Sequence, residues 1–211
     1  MKITKIQPQK YHKNRWSIFI DHEFAFGMDA EDLYQLGLKE QQEITQDEKD
    51  KIENTVLYRR GKEKALRLLH YRGRTEQEIR QRLQQDFYPD SVIQRIIDFL
   101  YRYSFLDDKS YAEQFIKAKL QNKPMGKRML AYQLQQKGIP KEVAEQVIDN
   151  QVIDEEKAVY QLIQKRVDLD KEISLKEKRR LYFYLQRRGF SYETIYKVFS
   201  KINWNIKEDV D

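Results

Sequence analysis

The chain repeats the stretch Ile79-Arg-Gln-Arg-Leu83-Gln-Gln twice, as Leu130-Ala-Tyr-Gln-Leu134-Gln-Gln and then as Leu181-Tyr-Phe-Tyr-Leu185-Gln-Arg. Leu83, Leu134 and Leu185, at the same place in each stretch, are spaced by 51 residues in both intervals. The same spacing relates further apolar positions, namely Tyr88, Ile139 and Phe190, and then Ile96, Val147 and Val198. A fixed period of this size indicates that one supersecondary unit was copied and stacked. We therefore expect an elongated row of units whose function lies on a long surface rather than in a pocket.

Composition favours long helices. Hydrophobic residues make up 40% of the 211 residues and charged residues 35%, with only 7 Gly and 4 Pro. The absence of Cys excludes a disulfide framework, a thiolate metal site and a cysteine nucleophile. The N-terminus lacks the apolar run of a signal peptide, and no apolar run approaches the ~20 residues needed to span a bilayer. We expect a cytoplasmic protein that does not insert into membranes.

Each repeat divides into three helices by its apolar spacing and its helix-start signals. Thr75-Glu-Gln-Glu78 and Ser174-Leu-Lys-Glu177 have the spacing of capping boxes. The first helices follow a different offset, because Leu68, Phe115 and Leu162 are 47 residues apart. The connection between the first and second helix must therefore lengthen by four residues at each step. The predicted domains are 1–60, a strand-containing extension with a linking helix; 61–104, 105–151 and 152–204, the repeats; and 205–211, a frayed tail.

The residues before the repeats predict a small sheet followed by a helix. Trp16–Ile20 and Glu23–Gly27 are aromatic and branched and flank a short turn, which is typical of a hairpin, and Ile3–Gln7 can supply a third strand. A capping box at Thr45 predicts a helix start, with Gly61 as a possible break.

Glycines end two of the three second helices. Gly138 and Gly189 stand where a left-handed residue ends a helix without steric cost, whereas the first repeat has Phe87 at that position. We therefore expect the turn of the first repeat to differ from the other two.

The positive charge of the chain lies on the repeats. The formal net charge is +6, from 40 Lys or Arg and 34 Asp or Glu. Residues 1–60 carry 10 basic and 11 acidic side chains, so residues 61–211 carry 30 and 23, a net charge of +7. Such a field attracts polyanions or an acidic protein face. Nucleic acid, or a complex that contains it, is the first partner to consider.

The strongest basic segment is residues 114–141, which contain no acidic residue. We call its candidate contact residues the middle patch: Lys117, Lys119, Lys123, Lys127, Arg128 and Lys137. Lys123-Pro-Met-Gly-Lys127-Arg128 places charge at a helix start, where free backbone N–H groups favour a phosphate or carboxylate. The alternative interpretation is a solvated basic face.

Two secondary basic patches flank the middle patch in sequence. They are Arg67, Arg72 and Arg74 in the first repeat, and Lys176, Arg179, Arg180, Arg187 and Arg188 in the third. The third-repeat patch is interleaved with Tyr182, Phe183 and Tyr184, which could stack the bases of single-stranded DNA. A core role for these rings is the stronger interpretation, because Leu181, Tyr184 and Leu185 share a helical face.

No constellation in the sequence indicates catalysis. Asp107-Asp108 could suggest a metal or a general acid, but a helix cap is the more frequent use of such residues. His12, His22 and His70 are too scattered to predict a metal site or a triad. The sequence has no P-loop, so ATP turnover is not expected. We interpret the chain as a non-enzyme that needs no cofactor.

Several local motifs, in this order, resemble the RecX family. They are Arg72-Gly-Arg-Thr-Glu-Gln-Glu-Ile79, Phe105-Leu-Asp-Asp108 with Tyr111-Ala112, and Met125-Gly-Lys-Arg-Met-Leu130 with Leu134-Gln-Gln-Lys-Gly-Ile139. The resemblance covers roughly residues 60–200. It implies a bacterial regulator that binds RecA and its nucleoprotein filament and modulates, usually by inhibition, filament growth, ATP hydrolysis and strand exchange.

Taken together, the sequence predicts a mainly α-helical protein, in which three tandem three-helix repeats form an elongated curved rod with a small N-terminal hairpin or sheet. The resemblance implies RecA and the RecA–DNA filament as partners, and we expect the chain to act as a monomer. The alternative function is a stand-alone module that binds single-stranded nucleic acid without a protein partner.

Overall fold

The computed structural model describes residues 1–10 and 12–207, with the side chains of Lys13 and Asn122 left out. The described chain is mainly helical and begins with a small sheet, as the sequence predicts. It divides into two compact units, residues 1–108 and residues 109–211.

The N-terminal sheet has three antiparallel strands in sequence order, β1 (Ile3–Gln9), β2 (His12–Ile20) and β3 (Glu23–Asp29). The two residues between β2 and β3, Asp21 and His22, have φ values of +50° and +70°. Positive φ at both central residues is the geometry of a type I′ turn, whose twist matches that of the flanking strands. The predicted hairpin and third strand are therefore confirmed.

A long helical segment connects the sheet to the repeats. After α1 (Ala30–Leu36), it consists of α2 (Gln46–Lys51), a π-helical stretch (Ile52–Leu57) and α3 (Tyr58–Tyr71). The predicted capping box is present, since the Thr45 hydroxyl accepts from the Glu48 backbone and the Glu48 carboxylate accepts from the Thr45 backbone. Helix α3 continues through residues 60 and 61, so the domain boundary expected there falls inside a helix.

Gly61 does not break this helix, contrary to the prediction. It is buried, and a Cβ at this position would lie 2.6 Å from Cδ1 of Ile96 and 3.2 Å from the Tyr88 ring. Gly61 thus permits the close approach of the neighbouring helix, which outweighs its modest cost to helix formation.

The remaining helices follow the three-helix plan. They are α4 (Glu76–Gln85) and α5 (Asp90–Arg102) in the first repeat; α6 (Asp108–Asn122), α7 (Lys127–Gln136) and α8 (Lys141–Asp149) in the second; and α9 (Glu155–Gln164), α10 (Leu175–Arg187) and α11 (Tyr192–Lys201) in the third. Side-chain caps start several of them. The hydroxyl of Thr75 accepts from Glu78 at α4, and Ser174 forms a complete capping box with Glu177 at α10.

The turns that follow the second helices share one geometry, so the prediction of a different turn in the first repeat is wrong. Phe87 has φ +62°, close to +81° at Gly138 and +85° at Gly189. In the first repeat, the N–H of Phe87 donates to Gln84 and that of Tyr88 to Leu83, and the other two turns have the equivalent bonds. The three turns therefore share their backbone hydrogen bonds, although the residue with positive φ is phenylalanine in the first repeat and glycine in the other two.

Tertiary contacts of the first unit hold Phe87 in this conformation. A left-handed backbone costs a non-glycine residue roughly 1–2 kcal/mol. The carbonyl of Phe87 accepts from the N–H of Gly27 in β3 at 2.8 Å. Its ring packs edge-on against Phe24, with the centroids 5.7 Å apart. These contacts offset the strain.

The N-terminal sheet shares one core with the first repeat. Ile18 and Phe26 from the sheet are buried in the same cluster as Ile93 and Leu100 from α5. The second and third repeats each have a core cluster of their own. The sheet and the first repeat therefore form one folding unit.

A buried polar network also joins the sheet to the first repeat. Arg15 of β2 donates to the backbone oxygens of Gly27 at 2.9 Å and Asp86 at 2.7 Å, and to the Asp29 carboxylate at 2.9 Å. The Asp86 carboxylate is fully buried and forms an ion pair with the Lys64 ammonium of α3. Such charges are tolerated inside a protein only when they are paired.

The start of the segment predicted to fray is paired in the structure. The N–H of Ile173 donates to Asn205 at 2.8 Å, and the N–H of Lys207 donates to Ile173 at 2.9 Å. Residues 205–207 are therefore held against the loop that precedes α10. The rest of that predicted tail, residues 208–211, lies outside the described residues.

Candidate functional site

The start of α7, where the sequence predicts an anion site, is occupied by a carboxylate of the chain itself. The backbone N–H of Lys127 donates to Oε1 of Glu155 at 2.7 Å. The Lys127 ammonium lies 3.2 Å from Oδ1 of Asp149. The backbone donor and the side-chain cation at this helix start both have internal partners, so Lys127 is a weak candidate for an external contact.

The same arrangement occurs one repeat earlier. Asp108, the first residue of α6, accepts from the backbone N–H of Glu76 at the start of α4 at 2.9 Å. Burial is the main cause that raises the pKa of Asp108, and the bond from Glu76 opposes it. Asp108 and Glu155 are 47 residues apart, the offset of the first helices. A carboxylate at the start of one repeat thus caps the second helix of the preceding repeat.

Removing this cap from α7 is expected to weaken the second unit modestly. Glu155 also accepts from the Thr194 hydroxyl at 3.4 Å, so it connects the starts of α7 and α11. Glu155→Ala should lower the free energy of unfolding by about 1 kcal/mol, the usual value of a helix N-cap. Glu155→Gln keeps an acceptor and should lose less. Urea unfolding followed by circular dichroism measures both, and equal stability of the wild type and Glu155→Ala would contradict the capping role.

The second unit contains a basic cleft that joins two of the predicted patches. We define the cleft by its lining residues, which are Phe115, Ala118, Lys119, Lys123, Met125, Met129, Gln133, Arg187 and Arg188. Its volume is about 560 Å³, within the range of ligand pockets in proteins. Four of the lining residues are cations and none is acidic. Lys119 and Lys123 come from the middle patch, and Arg187 and Arg188 from the third repeat.

Backbone contacts between the second and third repeats build the cleft. The N–H of Gly126 donates to the carbonyl of Arg188 at 2.9 Å, and the Arg188 guanidinium donates to the carbonyl of Pro124 at 3.3 Å. Gly126 and Gly189 touch so closely that a Cβ on either would overlap backbone atoms of the opposite segment. The two walls are thereby fixed before any ligand binds.

The floor of the cleft is apolar and contains one unsatisfied polar atom. Met125 is buried, and Met129 and Phe115 are half-buried. The Lys119 ammonium lies 5.0 Å from the centroid of the Phe115 ring. Among the described residues, the buried Oε1 of Gln133 accepts no hydrogen bond. This combination could receive an anionic ligand with an apolar part and an N–H donor.

The other predicted contact residues lie outside the cleft lining. In the middle patch, Lys117 and Arg128 are exposed and Lys137 is half-buried. In the third repeat, Lys176 and Arg180 are exposed.

In the first repeat, the secondary patch is partly engaged within the first unit. Arg72 pairs with Glu78 at 3.6 Å, and Arg74 donates to the Leu68 carbonyl at 3.3 Å. Arg67 is exposed. Arg67 is therefore the residue of this patch with the greatest freedom to reach a partner.

The third repeat exposes a ladder of rings on α10 and α11. Phe183, Tyr182, Tyr192 and Tyr196 follow one another with centroid separations of 5.6, 6.3 and 5.8 Å. Tyr192 and Tyr196 are 60% and 61% exposed, and sequence reasoning missed both. The two tyrosines are four residues apart, which places them side by side on the polar face of α11, and this spacing could have predicted the pair from the sequence.

The predicted aromatic set divides in the structure. Phe183 and Tyr182 belong to the ladder, whereas Tyr184 is half-buried and covered by cations. The guanidinium of Arg166 lies 3.7 Å from the centroid of the Tyr184 ring, and that of Arg188 lies 5.3 Å from it. Tyr184 therefore contributes to packing beside the cleft and does not offer a free face for stacking.

Comparison with known proteins identifies the family. Four family models match in order: the regulatory protein RecX N-terminal domain at residues 1–45, and the first, second and third three-helix domains of RecX at residues 62–100, 107–148 and 154–199. The chain belongs to the RecX family. RecX relatives include the regulatory protein RecX of Clostridium beijerinckii, 36% identical over 95% of both chains. That of Bacillus velezensis is 34% identical over 92% of this chain and 74% of the relative.

Solved RecX structures share the fold. A crystal structure of regulatory protein RecX covers 94% of this chain and 98% of its own with a TM-score of 0.64 at 22% identity. RecX from Lactobacillus salivarius covers 69% of this chain and 96% of its own with a TM-score of 0.63 at 24% identity. Both support the fold described above.

Within residues 1–10 and 12–207, no cluster of three or more His, Asp or Glu side chains is arranged to bind a metal ion. No helix in the same residues is long and apolar enough to cross a membrane.

Proposed function

We propose that this RecX family member binds RecA and its nucleoprotein filament and inhibits filament growth, ATP hydrolysis and strand exchange. It would act as a monomeric binding protein rather than an enzyme, in the cytoplasm, during homologous recombination, DNA repair and the SOS response. Membership of a family of regulatory proteins supports a role as a regulator.

One observation in the structure supports a protein partner in particular. The cleft presents four cations without a lining carboxylate, around an apolar floor. Complementary charge raises the rate of encounter with an acidic protein face, and a desolvated apolar centre supplies affinity. Bare nucleic acid supplies the charge but offers fewer apolar groups for Met125 and Met129 to contact.

The experiment is the ATPase rate of RecA on single-stranded DNA while this protein is titrated in. We expect the rate to fall and the protein to co-sediment with the filament. A rate, a filament length and a pellet composition that all stay the same at every concentration would refute the proposal.

The ring ladder supports a second candidate, binding of single-stranded nucleic acid without RecA. Arg179 lies 5.7 Å from the centroid of the Phe183 ring, so a cation accompanies the exposed rings. Stacking contributes about 1–3 kcal/mol per base in single-strand binders.

Binding of bare single-stranded nucleic acid can be measured separately from binding to RecA. Affinity for oligo(dT) should fall with salt by a slope of about 0.7 in log–log units for each phosphate neutralised. Tyr192→Ala together with Tyr196→Ala should weaken it, whereas Tyr132→Ala, an exposed ring on α7, should not. Weak binding with a flat salt dependence would reject this candidate.

A further inference from the structure

We infer that the cleft is the docking site for an acidic peptide segment of a protein partner, with an apolar side chain of that segment seated between Phe115 and the two methionines. The inference rests on the proposed function and adds the chemistry by which the partner is recognised. Charge, shape and hydrogen bonding each point to such a segment.

Unlike other cations of this unit, the cations of the cleft have no carboxylate partner among the described residues, although Arg188 donates to the Pro124 carbonyl and Lys119 lies over the Phe115 ring. Lys127 pairs with Asp149, and Lys197 and Lys201 both pair with Glu156. Among the described residues, no ion pair involves any of the four cleft cations, Lys119, Lys123, Arg187 and Arg188. Four converging cations repel one another, and an anionic ligand would relieve that repulsion. The ligand must therefore carry several negative charges.

The floor favours an aliphatic or aromatic side chain over a stacked base. Methionine is flexible and polarisable, which suits it to surfaces that receive varied apolar side chains. The Phe115 ring has Lys119 over it and stacks on Tyr111 at a centroid distance of 6.3 Å. Because these neighbours occupy the ring, it is a poor platform for a nucleobase, and the proposal commits to a peptide.

The buried Gln133 adds a hydrogen-bonding requirement. Its Oε1 atom accepts no hydrogen bond within the described chain, and an unsatisfied buried acceptor costs roughly 1–3 kcal/mol. An extended peptide supplies backbone N–H donors beside its side chains, so it can satisfy this atom while its carboxylates meet the cations. The volume of about 560 Å³ admits a few residues of such a segment.

The test measures binding of a fluorescein-labelled short peptide, in which leucines alternate with acidic residues, to the full-length chain by anisotropy. The cleft variant is Lys123→Glu with Arg187→Glu, two exposed side chains that the fold does not use. The matched control is Lys109→Glu with Lys157→Glu, two exposed side chains that belong to none of the basic patches, which changes the net charge equally within the same unit but outside the lining. Circular dichroism and urea midpoints show whether each variant keeps the fold.

We expect the cleft variant to bind the peptide about tenfold or more weakly, with the control variant within about threefold of the wild type. A peptide with serine in place of leucine should bind weakly, and so should one with amides in place of carboxylates. Equal losses in the two variants, full binding of the serine peptide, or oligo(dT) as the tighter cleft ligand would each overturn the inference.

Failure of this inference is distinguishable from failure of the proposed function, because RecA is absent from the assay. Peptide binding that depends on the cleft, in a protein that leaves RecA ATPase unchanged, supports the cleft and overturns the RecA proposal. Inhibition of RecA by a protein that does not bind the peptide overturns the inference alone.

Discussion

Replacing Gly189 by alanine is expected to destabilise the second unit by roughly 2–5 kcal/mol. Gly189 has φ +85°, and the left-handed conformation alone costs an alanine roughly 1–2 kcal/mol. The new Cβ would also overlap the backbone nitrogen and Cβ of Met129 in α7. Overpacking of this kind costs typically 1–3 kcal/mol, and here the obstacle is partly backbone, which cannot rotate away.

Gly37→Ala separates the two contributions. Gly37 also has positive φ, at +63°, but a Cβ there would meet nothing within 4 Å. It should therefore lose only the conformational part, roughly 1–2 kcal/mol. Urea unfolding gives both values. A loss at Gly189 no greater than that at Gly37 would show that the contact between the repeats is not as tight as described.

Replacing Asp86 by alanine is expected to cost the first unit about 3–5 kcal/mol, because it leaves the half-buried Lys64 ammonium without its carboxylate partner. The Asp86 carboxylate is fully buried against the Lys64 ammonium. Burial, Arg82 and Arg15 all lower the pKa of Lys64. Without Asp86, burial and the neighbouring Arg82 and Arg15 oppose this cation, and Asp29 offsets them only in part, until the ammonium is released to solvent.

A double variant tests this explanation. Asp86→Ala with Lys64→Met removes both charges and should recover a large part of the loss, since a buried ion pair replaced by apolar groups is often close to neutral. Asp98→Ala, on the exposed face of α5, serves as the control and should change stability by less than about 0.5 kcal/mol. If the double variant is as unstable as Asp86→Ala alone, the cost arises from packing and not from the unpaired charge.

Much of the fold is readable from the sequence because it depends on local patterns. The capping boxes at Thr45 and Ser174 and the hairpin turn at Asp21-His22 all use residues near in sequence, and all are present. The prediction failed at Phe87, whose left-handed backbone depends on Gly27 and Phe24 of the sheet. Gly61 failed for a similar reason, since its role is set by the packing of another helix.

The site was less predictable, because it is assembled from residues far apart in sequence. The basic segment 114–141 appeared as one patch, but Lys127 pairs internally and Lys119 and Lys123 join Arg187 and Arg188. No local pattern shows which cations share a cleft. The capping of α7 by Glu155 could have been predicted from the sequence, because Asp108 and Glu155 are 47 residues apart, the offset of the first helices. The sequence did not indicate a role for Gln133, because its side-chain oxygen lacks a hydrogen-bond donor only in the folded structure.

The most direct test of the central claim is co-sedimentation of RecA filaments on single-stranded DNA with three proteins, the wild type, Lys123→Glu with Arg187→Glu, and Lys109→Glu with Lys157→Glu. We predict that the wild type and the Lys109/Lys157 variant enter the pellet with the filament and that the Lys123/Arg187 variant stays in the supernatant. Equal co-sedimentation of all three proteins, or no binding by any of them, would contradict the account.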